Sequence, residues 1–386
     1  LRGYANANLN FVRISQLKIR NFRNLSDINL KPNKILNILV GDNGQGKTSL
    51  IEGIFFLSAL KSFRTGKVTD LVQHNQNGFL IDGRVETETA VSSIDLKIKI
   101  EDKARKLFVN EKPTTASNFI SKLRTVVFSP ESLASIKLGP EARRDLVDHG
   151  VIQISEDAAK GHLEFLRVLR QRNACLKQIR DGDLAIGSGE DILESLDPLF
   201  LNAATTVTAE RLKFLDYLFS KIENLLEEIT GESNTLQFSY KSSKGPWLER
   251  TNSELLHRLR DELKSLDRVQ AERSAGVTLT GPHRHDVTFL FNGNDSRIYC
   301  SQGQQRAVIL AFKIAEIVYH SETFGSYPLL LLDDVLSEFD ETKRRFLIEL
   351  LCKNEAQTFL TTTDHNHYLE GSAVFTVDAG RVSPKD

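Results

Sequence analysis

Eight consecutive residues, Gly41-Asp42-Asn43-Gly44-Gln45-Gly46-Lys47-Thr48, satisfy the pattern G-x-x-x-x-G-K-[ST] in full. Each residue type has a chemical reason to be there. Glycines let successive backbone N–H groups close around phosphate oxygens, and a helix starting at Lys47 adds the partial positive charge of its N-terminus. Lys47 would reach the β- and γ-phosphates of a nucleotide, the Thr48 hydroxyl would ligate Mg²⁺, and Ser49 is counted with the nucleotide contacts. Near the other end of the chain, Leu329-Leu330-Leu331-Leu332-Asp333-Asp334 is an apolar run that ends in two carboxylates. At the C-terminal end of a parallel strand these would face the phosphates, Asp333 toward the metal and Asp334 toward an attacking water. A third pattern, Ser301-Gln302-Gly303-Gln304-Gln305-Arg306, opens a helix. It suits an anion, and equally an ordinary capping box between Ser301 and Gln304.

These residues need strands and helices to hold them. Val12, Ile14, Leu17 and Ile19 alternate in part and predict a strand, and Lys34 to Val40 predicts a more buried one that feeds the glycine turn. Residues 47–60 are apolar nearly all round, the mark of a helix buried mid-domain. From Gly78 to Lys112 the period is two: Ile94, Leu96, Ile98 and Ile100 alternate with Asp95, Lys97 and Lys99, as in an antiparallel meander with one wet face. Thr125 to Phe128 predicts another strand. Between about 155 and 270 the spacing turns helical (Leu212, Leu215, Phe219, Ile222, Leu226, Ile229), and only Leu236 to Tyr240 looks strand-like. Strands return after Gly276. The expected organisation is an α/β head made from residues 12–130 and 276–386, with an antiparallel β subdomain, and a mostly helical insert over 131–275. Residues 1–11 are read as an extension.

Composition sets outer limits. The chain has 386 residues, 40% apolar and 26% charged, enough for a sizeable core and against disorder. The formal net charge is −1, so any nucleic-acid surface must be a local concentration of charge. Cys175, Cys300 and Cys352 form no C-x-x-C pair, which argues for a reducing, cytoplasmic setting and against a four-thiolate zinc site. No apolar run approaches the roughly 18 residues of a membrane span, and Leu1 to Asn10 lacks the apolar stretch of a secretory signal. Methionine is absent, and nothing physical explains that.

The order of these motifs resembles the ABC-type ATPase heads of chromosome-maintenance and break-repair proteins, and within them the RecF family of bacterial DNA replication and repair proteins. The resemblance rests on Gln16 to Asn24, the glycine turn, Phe63-Arg64-Thr65, Phe128-Ser129-Pro130-Glu131, Gly139-Pro140 with Arg143-Arg144, Gly281-Pro282-His283-Arg284, Ser301 to Arg306 and Leu331 to Asp340. It implies a head that dimerises face to face around two ATP molecules. Ser301 and Gly303, with Gln304, would meet the γ-phosphate held by the partner, and Asp340 would lie in the turn between the two sites. Arg23 and Asn24 would touch the nucleotide, and Arg64 would approach nucleotide or DNA near the seam. It also implies ATP-dependent binding to DNA at gaps and single-strand junctions, and cooperation with RecR and RecO in loading RecA. The departures are an Asp at 334 where fast ABC ATPases carry Glu, which predicts slow turnover, Thr361-Thr362-Thr363 where a switch histidine would stand, and His285 where the family tends to Asp.

Local basic clusters are the candidates for DNA. On the helix spanning Gly161 to Arg180, Arg167, Arg170, Lys177 and Arg180 fall within an arc of roughly 140° at helical pitch. Arg143 and Arg144 form a second cluster, and Lys97, Lys99, Lys103, Arg105 and Lys106 a third. Such contacts would go to phosphates with little sequence reading. His283, His285 and Asp286 are expected to be structural polar residues of a turn or strand. Two other classes stay open: an ATP-controlled scaffold whose DNA contact is incidental, and, against the wording at Asn43 and Ser301-Gln302, a transporter motor subunit.

Overall fold

The computed structural model describes residues 11–87, 93–102, 104–353, 356–364 and 371–385. Lys103, part of the third basic cluster, and nearly all of the 1–11 extension lie outside them. The chain divides into two units: residues 1–134, 221–234 and 300–386, and residues 135–220 and 235–299.

In the first unit the elements run β1 (Val12–Phe22), β2 (Leu25–Leu30), β3 (Leu36–Val40), α1 (Lys47–Ala59), β4 (Gly78–Thr87), β5 (Ser93–Glu101), β6 (Ala104–Val109), β7 (Lys112–Pro113), α2 (Ala116–Ile120), β8 (Thr125–Phe128) and α3 (Pro130–Ala134). The second unit holds α4 (Pro140–Val151), α5 (Glu156–Asp181), most of α6 (Ile186–Thr230), β9 (Leu236–Ser242), β10 (Gly245–Pro246), α7 (Asn252–Lys264), α8 (Leu266–Ala275), β11 (Asp286–Phe291), β12 (Asn294–Asp295) and α9 (Ser296–Tyr299). The first unit then resumes with α10 (Gln302–Phe324), β13 (Leu329–Leu332), α11 (Glu341–Lys353), β14 (Thr358–Thr362), β15 (Ala373–Asp378) and β16 (Arg381–Pro384).

Two sheets enclose α1. One is antiparallel, in the order β2-β1-β4-β5-β6-β7, and has the predicted period of two: Leu96, Ile98 and Ile100 are buried while Asp95, Lys97 and Lys99 are half-buried or exposed. The other has the order β16-β15-β3-β14-β13-β8, parallel throughout except for the edge strand β16. Its middle strands are buried on both faces, which is why Leu329–Leu332 reads as an unbroken apolar run and Leu36–Val40 is apolar but for buried Asn37. Every residue of α1 but Thr48 is buried. A Cβ on Gly53 would come within 2.8 Å of Ile19, and one on Gly83 within 2.5 Å of Leu57, so the helix seats directly on the antiparallel sheet at two glycines.

The units divide the chain differently from the expected domains: residues 131–134 and 221–234, expected in the insert, fall in the first unit, and residues 276–299, expected in the head, belong to the second. The cause of the last is strand pairing: β9, the lone strand foreseen in the insert, finds its partner in β11, with Val287 opposite Tyr240 and Phe289 opposite Phe238. In the same unit, buried Arg211 makes a bidentate pair with buried Asp148 (2.6 and 2.8 Å) and also donates to Tyr240 Oη and the Pro282 carbonyl. Burial opposes the guanidinium charge, but Asp148 outweighs it and holds Arg211 above its ordinary range.

Truncating Arg211 would strand Asp148 as an uncompensated buried charge. We expect Arg211→Leu to lower stability by roughly 3–5 kcal/mol, read as a lower urea midpoint in equilibrium unfolding. An unchanged midpoint would show that the pair contributes nothing net.

Candidate nucleotide-binding site

The parallel register brings three strand ends to one edge: β3, β14 and β13 finish at Val40, Thr362 and Leu332, and the glycine turn leaves from the first. Lys47, in the first turn of α1, donates from Nζ to the carbonyls of Gly41 (2.6 Å) and Asp42 (2.9 Å). Burial lowers its pKa, with Asp334, Asp333 and Asp42 pulling the other way. Thr48 Oγ1 donates to Asp333 Oδ1 at 2.9 Å, and Thr361 Oγ1 donates to the same oxygen at 3.1 Å. Asp333 is buried, and burial pushes its pKa up to about 6, assisted by Glu131 and Asp334 and resisted by the two hydroxyls. Asp334, by contrast, is exposed, and its backbone N–H donates to Thr361 Oγ1 (2.8 Å). Its φ of +52° is a left-handed conformation that Asp adopts more readily than most residues, and it turns the chain out of β13 at this carboxylate. Thr361, read from the sequence only as a substitute for a switch histidine, thus fixes both acidic residues.

A cavity of about 490 Å³ lies over this edge, within the usual range for small ligands. Asn43, Gly44, Gly46, Lys47, Thr48 and Ser49 line it, together with Arg23, Asn24, Arg64 and Asp334. Asn24 Nδ2 donates to the Gly44 carbonyl (3.1 Å) and Ser49 Oγ donates to Asn24 Oδ1 (2.7 Å), so the β1–β2 turn is stitched to the phosphate loop. Asp70 and Val72 also line it and carried no recognisable signal in the sequence. A larger cavity of about 1010 Å³ in the second unit is lined by the ion pairs of Arg172 with Glu272 and Arg273 with Glu190, together with Glu194, Arg260 and Lys264.

Several expected residues have other positions. Gln45 does not line the cavity; its side-chain Oε1 accepts from Ala379 N (2.7 Å) and its carbonyl from Gly380 N (2.9 Å), in the tight turn between β15 and β16. Gly380 has φ +75°, and a Cβ there would lie 2.0 Å from the Asn24 carbonyl oxygen. Ser301 and Gln304 form the capping box that the sequence allowed (Gln304 N to Ser301 Oγ 3.2 Å, Ser301 N to Gln304 Oε1 2.9 Å). Neither they, Gly303 nor Asp340 lines the cavity. Arg306 of α10 is ion-paired with Glu338 and donates to its carbonyl (2.7 Å), tying this helix to the turn that holds Asp340.

One of the basic clusters does not survive as a surface, and another is largely ion-paired. Arg143 is buried and bidentate with Asp286 (2.9 and 3.0 Å), and Arg144 is half-buried with one nitrogen committed to the His285 carbonyl. Lys97 pairs with Asp82 and Glu111, Lys99 and Lys106 share Glu101, and exposed Arg105 donates to the Leu60 carbonyl (3.3 Å). Along α5, Arg167, Arg170, Lys177 and Arg180 are exposed, although Arg167 pairs with Glu164 and Arg180 with Asp181. Arg172, counted in that segment, is buried against Glu272 and Asp197.

A glycine turn between a buried strand and a buried helix, facing a carboxylate pair across a parallel sheet, defines a P-loop ATPase head of the ABC type. Sequence and structure comparisons agree. Residues 13–383 match the family described as RecF/RecN/SMC N terminal domain, and the chain belongs to it, in the RecF branch. It is 34% identical over 375 residues to the DNA replication and repair protein RecF of Lysinibacillus sphaericus, covering 96% of this chain and 99% of that one. With RecF of Staphylococcus aureus it shares 33% identity over 382 residues, covering 96% and 100%. Among solved structures it resembles the recombination mediator protein RecF with ATP, of the RecFOR pathway, at a TM-score of 0.87 and 29% identity over 99% of this chain and 100% of that one. The Smc head domain of Pyrococcus furiosus shares the fold alone, at a TM-score of 0.54 and 12% identity over 97% and 96%. Among the described residues, no helix is long and apolar enough to cross a membrane.

A divalent cation fits here. The Thr48 hydroxyl and the buried Asp333 carboxylate are hard oxygen donors. Among the described residues no cluster of three or more His, Cys, Asp or Glu could hold a metal ion. Because Asp333 must be ionised to accept a cation, Mg²⁺-dependent ATP affinity should fall below about pH 6. The sign follows from a raised carboxylate pKa: the protonated form dominates on the acid side. Titration with a fluorescent ATP analogue between pH 5 and 8 reads this, and Asp333→Asn should flatten the acid arm.

Proposed function

We propose that this chain is an ATP-gated DNA-binding protein of recombinational repair and replication-fork maintenance. ATP would join two heads, each cavity being closed by Ser301 and Gly303 of the partner copy, with Asp340 near the junction. The joined form would hold DNA at gaps and single-strand/double-strand junctions and, with RecR and RecO, assist the loading of RecA. The observation that carries this reading is the Thr48–Asp333 bond beside Lys47, in a chain of the RecF family.

Within the site the roles divide by chemistry. Lys47, the loop amides of residues 41–46 and Ser49 would bind the phosphates, and Arg23 and Asn24 would border the nucleotide. Thr48 and Asp333 would hold Mg²⁺, which neutralises phosphate charge when bound. Asp334 would orient the attacking water. Its carboxylate is one methylene shorter than the Glu of fast ABC ATPases, so turnover is expected to be slow. DNA phosphates would meet Arg64 and the α5 stripe Arg167, Arg170, Lys177 and Arg180.

A second reading, an ATP-gated scaffold for repair proteins with incidental DNA contact, is favoured by one observation. Arg143, Arg172 and the β5–β6 lysines are neutralised by carboxylate partners, which leaves a smaller cationic surface than the sequence suggested.

Affinity for a gapped duplex, measured at two salt concentrations with ATP, with ADP and with Lys47→Ala, separates the two. Tight binding with ATP alone that weakens steeply with salt supports the clamp. Binding that ignores nucleotide supports the scaffold. Asp334→Asn should keep ATP binding but slow hydrolysis by about 10²-fold or more, read by phosphate release. Equal rates would remove Asp334 from its role.

A further inference from the structure

Glu52 stands one turn beyond Thr48 on α1 and is fully buried. No motif marks it, yet two guanidinium groups of the cavity converge on it. Arg23 is bidentate to Glu52, through Nε at 2.9 Å and Nη2 at 2.7 Å, and its Nη1 donates to the Asp70 carbonyl at 2.9 Å. Arg64 Nη1 lies 3.7 Å from the same carboxylate. Ser62 donates its hydroxyl to Glu52 and accepts from the backbone N–H groups of Arg64 (2.9 Å) and Thr65 (3.0 Å), so the turn that carries Arg64 is also fastened to Glu52.

The two arginines are held differently. Arg23 spends one hydrogen on each of its three nitrogens, its side chain is only 21% exposed, and its backbone has φ +55°, so its place is fixed by several constraints at once. Arg64 is 40% exposed and has only a long contact to the carboxylate. A buried carboxylate needs charge and hydrogen-bond partners around it, and a guanidinium bound at one edge keeps donors on the other. Arg23 and Arg64 both line the cavity over the phosphate loop.

We propose that Glu52 is a positioning residue for the nucleotide: from behind the cavity wall it fixes Arg23 rigidly and Arg64 on a looser tether, both directed at an anionic ligand. Losing its charge would remove one negative group behind the wall, a small gain for an anion. That gain is outweighed by the loss of a fixed bidentate arrangement. The inference rests on the nucleotide reading of the cavity.

The test is a double-mutant cycle on the full chain, read as the Kd of a fluorescent ATP analogue with Mg²⁺. Glu52→Gln should weaken binding at least about fivefold in the wild-type background and less than about twofold when Arg23 and Arg64 are both alanine. Equal losses in the two backgrounds, or a lower Tm with Kd unchanged, would overturn the proposal. Ser62→Ala loosens only the Arg64 turn and should give a smaller loss that vanishes with Arg64→Ala. It carries the test if Glu52→Gln does not fold, and equal losses with and without Arg64 would again overturn the proposal. Lys47→Ala is measured alongside. Wild-type affinity in that variant would defeat the nucleotide reading and the inference with it; lost affinity there, with no coupling at Glu52, would defeat the inference alone.

Discussion

Thr48 and Asp333 are bonded at 2.9 Å although most of the chain lies between them. That bond exists only because β3, β14, β13 and β8 run parallel and in register, so their C-terminal ends finish at one edge. A slip of one residue in β13 would turn Asp333 away and bring Asp334 or Leu332 in its place. The register shows in pairs such as Leu332 with Phe128 and Leu360 with Ile38, and buried Asn37 marks it by donating to the Thr358 carbonyl of the neighbouring strand (3.3 Å). Core packing and site chemistry are therefore one constraint. Asp333 is held in a dry position that raises its pKa because its strand must be buried to be placed at all.

Around that bond, most of the site is built from supports outside the phosphate loop. Thr361 serves both acidic residues, Asn24 and Ser49 stitch the β1–β2 turn to the loop, and the β15–β16 turn grips Gln45. The cavity is lined from five stretches of chain, at Arg23 and Asn24, the phosphate loop, Arg64 to Val72, Asp334 and Thr361, and only one of them carries the glycine motif.

What the sequence made legible follows from local rules. The glycine turn, the apolar run before Asp333 and the period-two meander each announce themselves within ten residues or so, and the structure holds all three. What it left hidden depends on partners far along the chain. Arg143 and Arg144 look like an exposed basic pair until Asp286 and the His285 carbonyl arrive from β11. Residues 276–299 look like the start of the returning head until β9 claims β11. Gln45 reads as one more phosphate-loop position, and nothing near it in sequence foretells Ala379. Glu52 reads as an ordinary helical glutamate, because the arginines that converge on it come from two different turns.

The strand order also bears on how the chain is made. In the parallel sheet, β3 is flanked by β14 and β15, and β8 pairs with β13. No two strands from the first third of the chain are neighbours there. A nascent chain emerging from the ribosome can close its antiparallel meander early, but β3 and β8 must wait with open edges while the whole second unit is synthesised. Such long-range pairing is slow and prone to aggregation. The unit in the middle, able to collect its own contacts meanwhile, sets the interval during which the parallel sheet exists only as two unfinished edges.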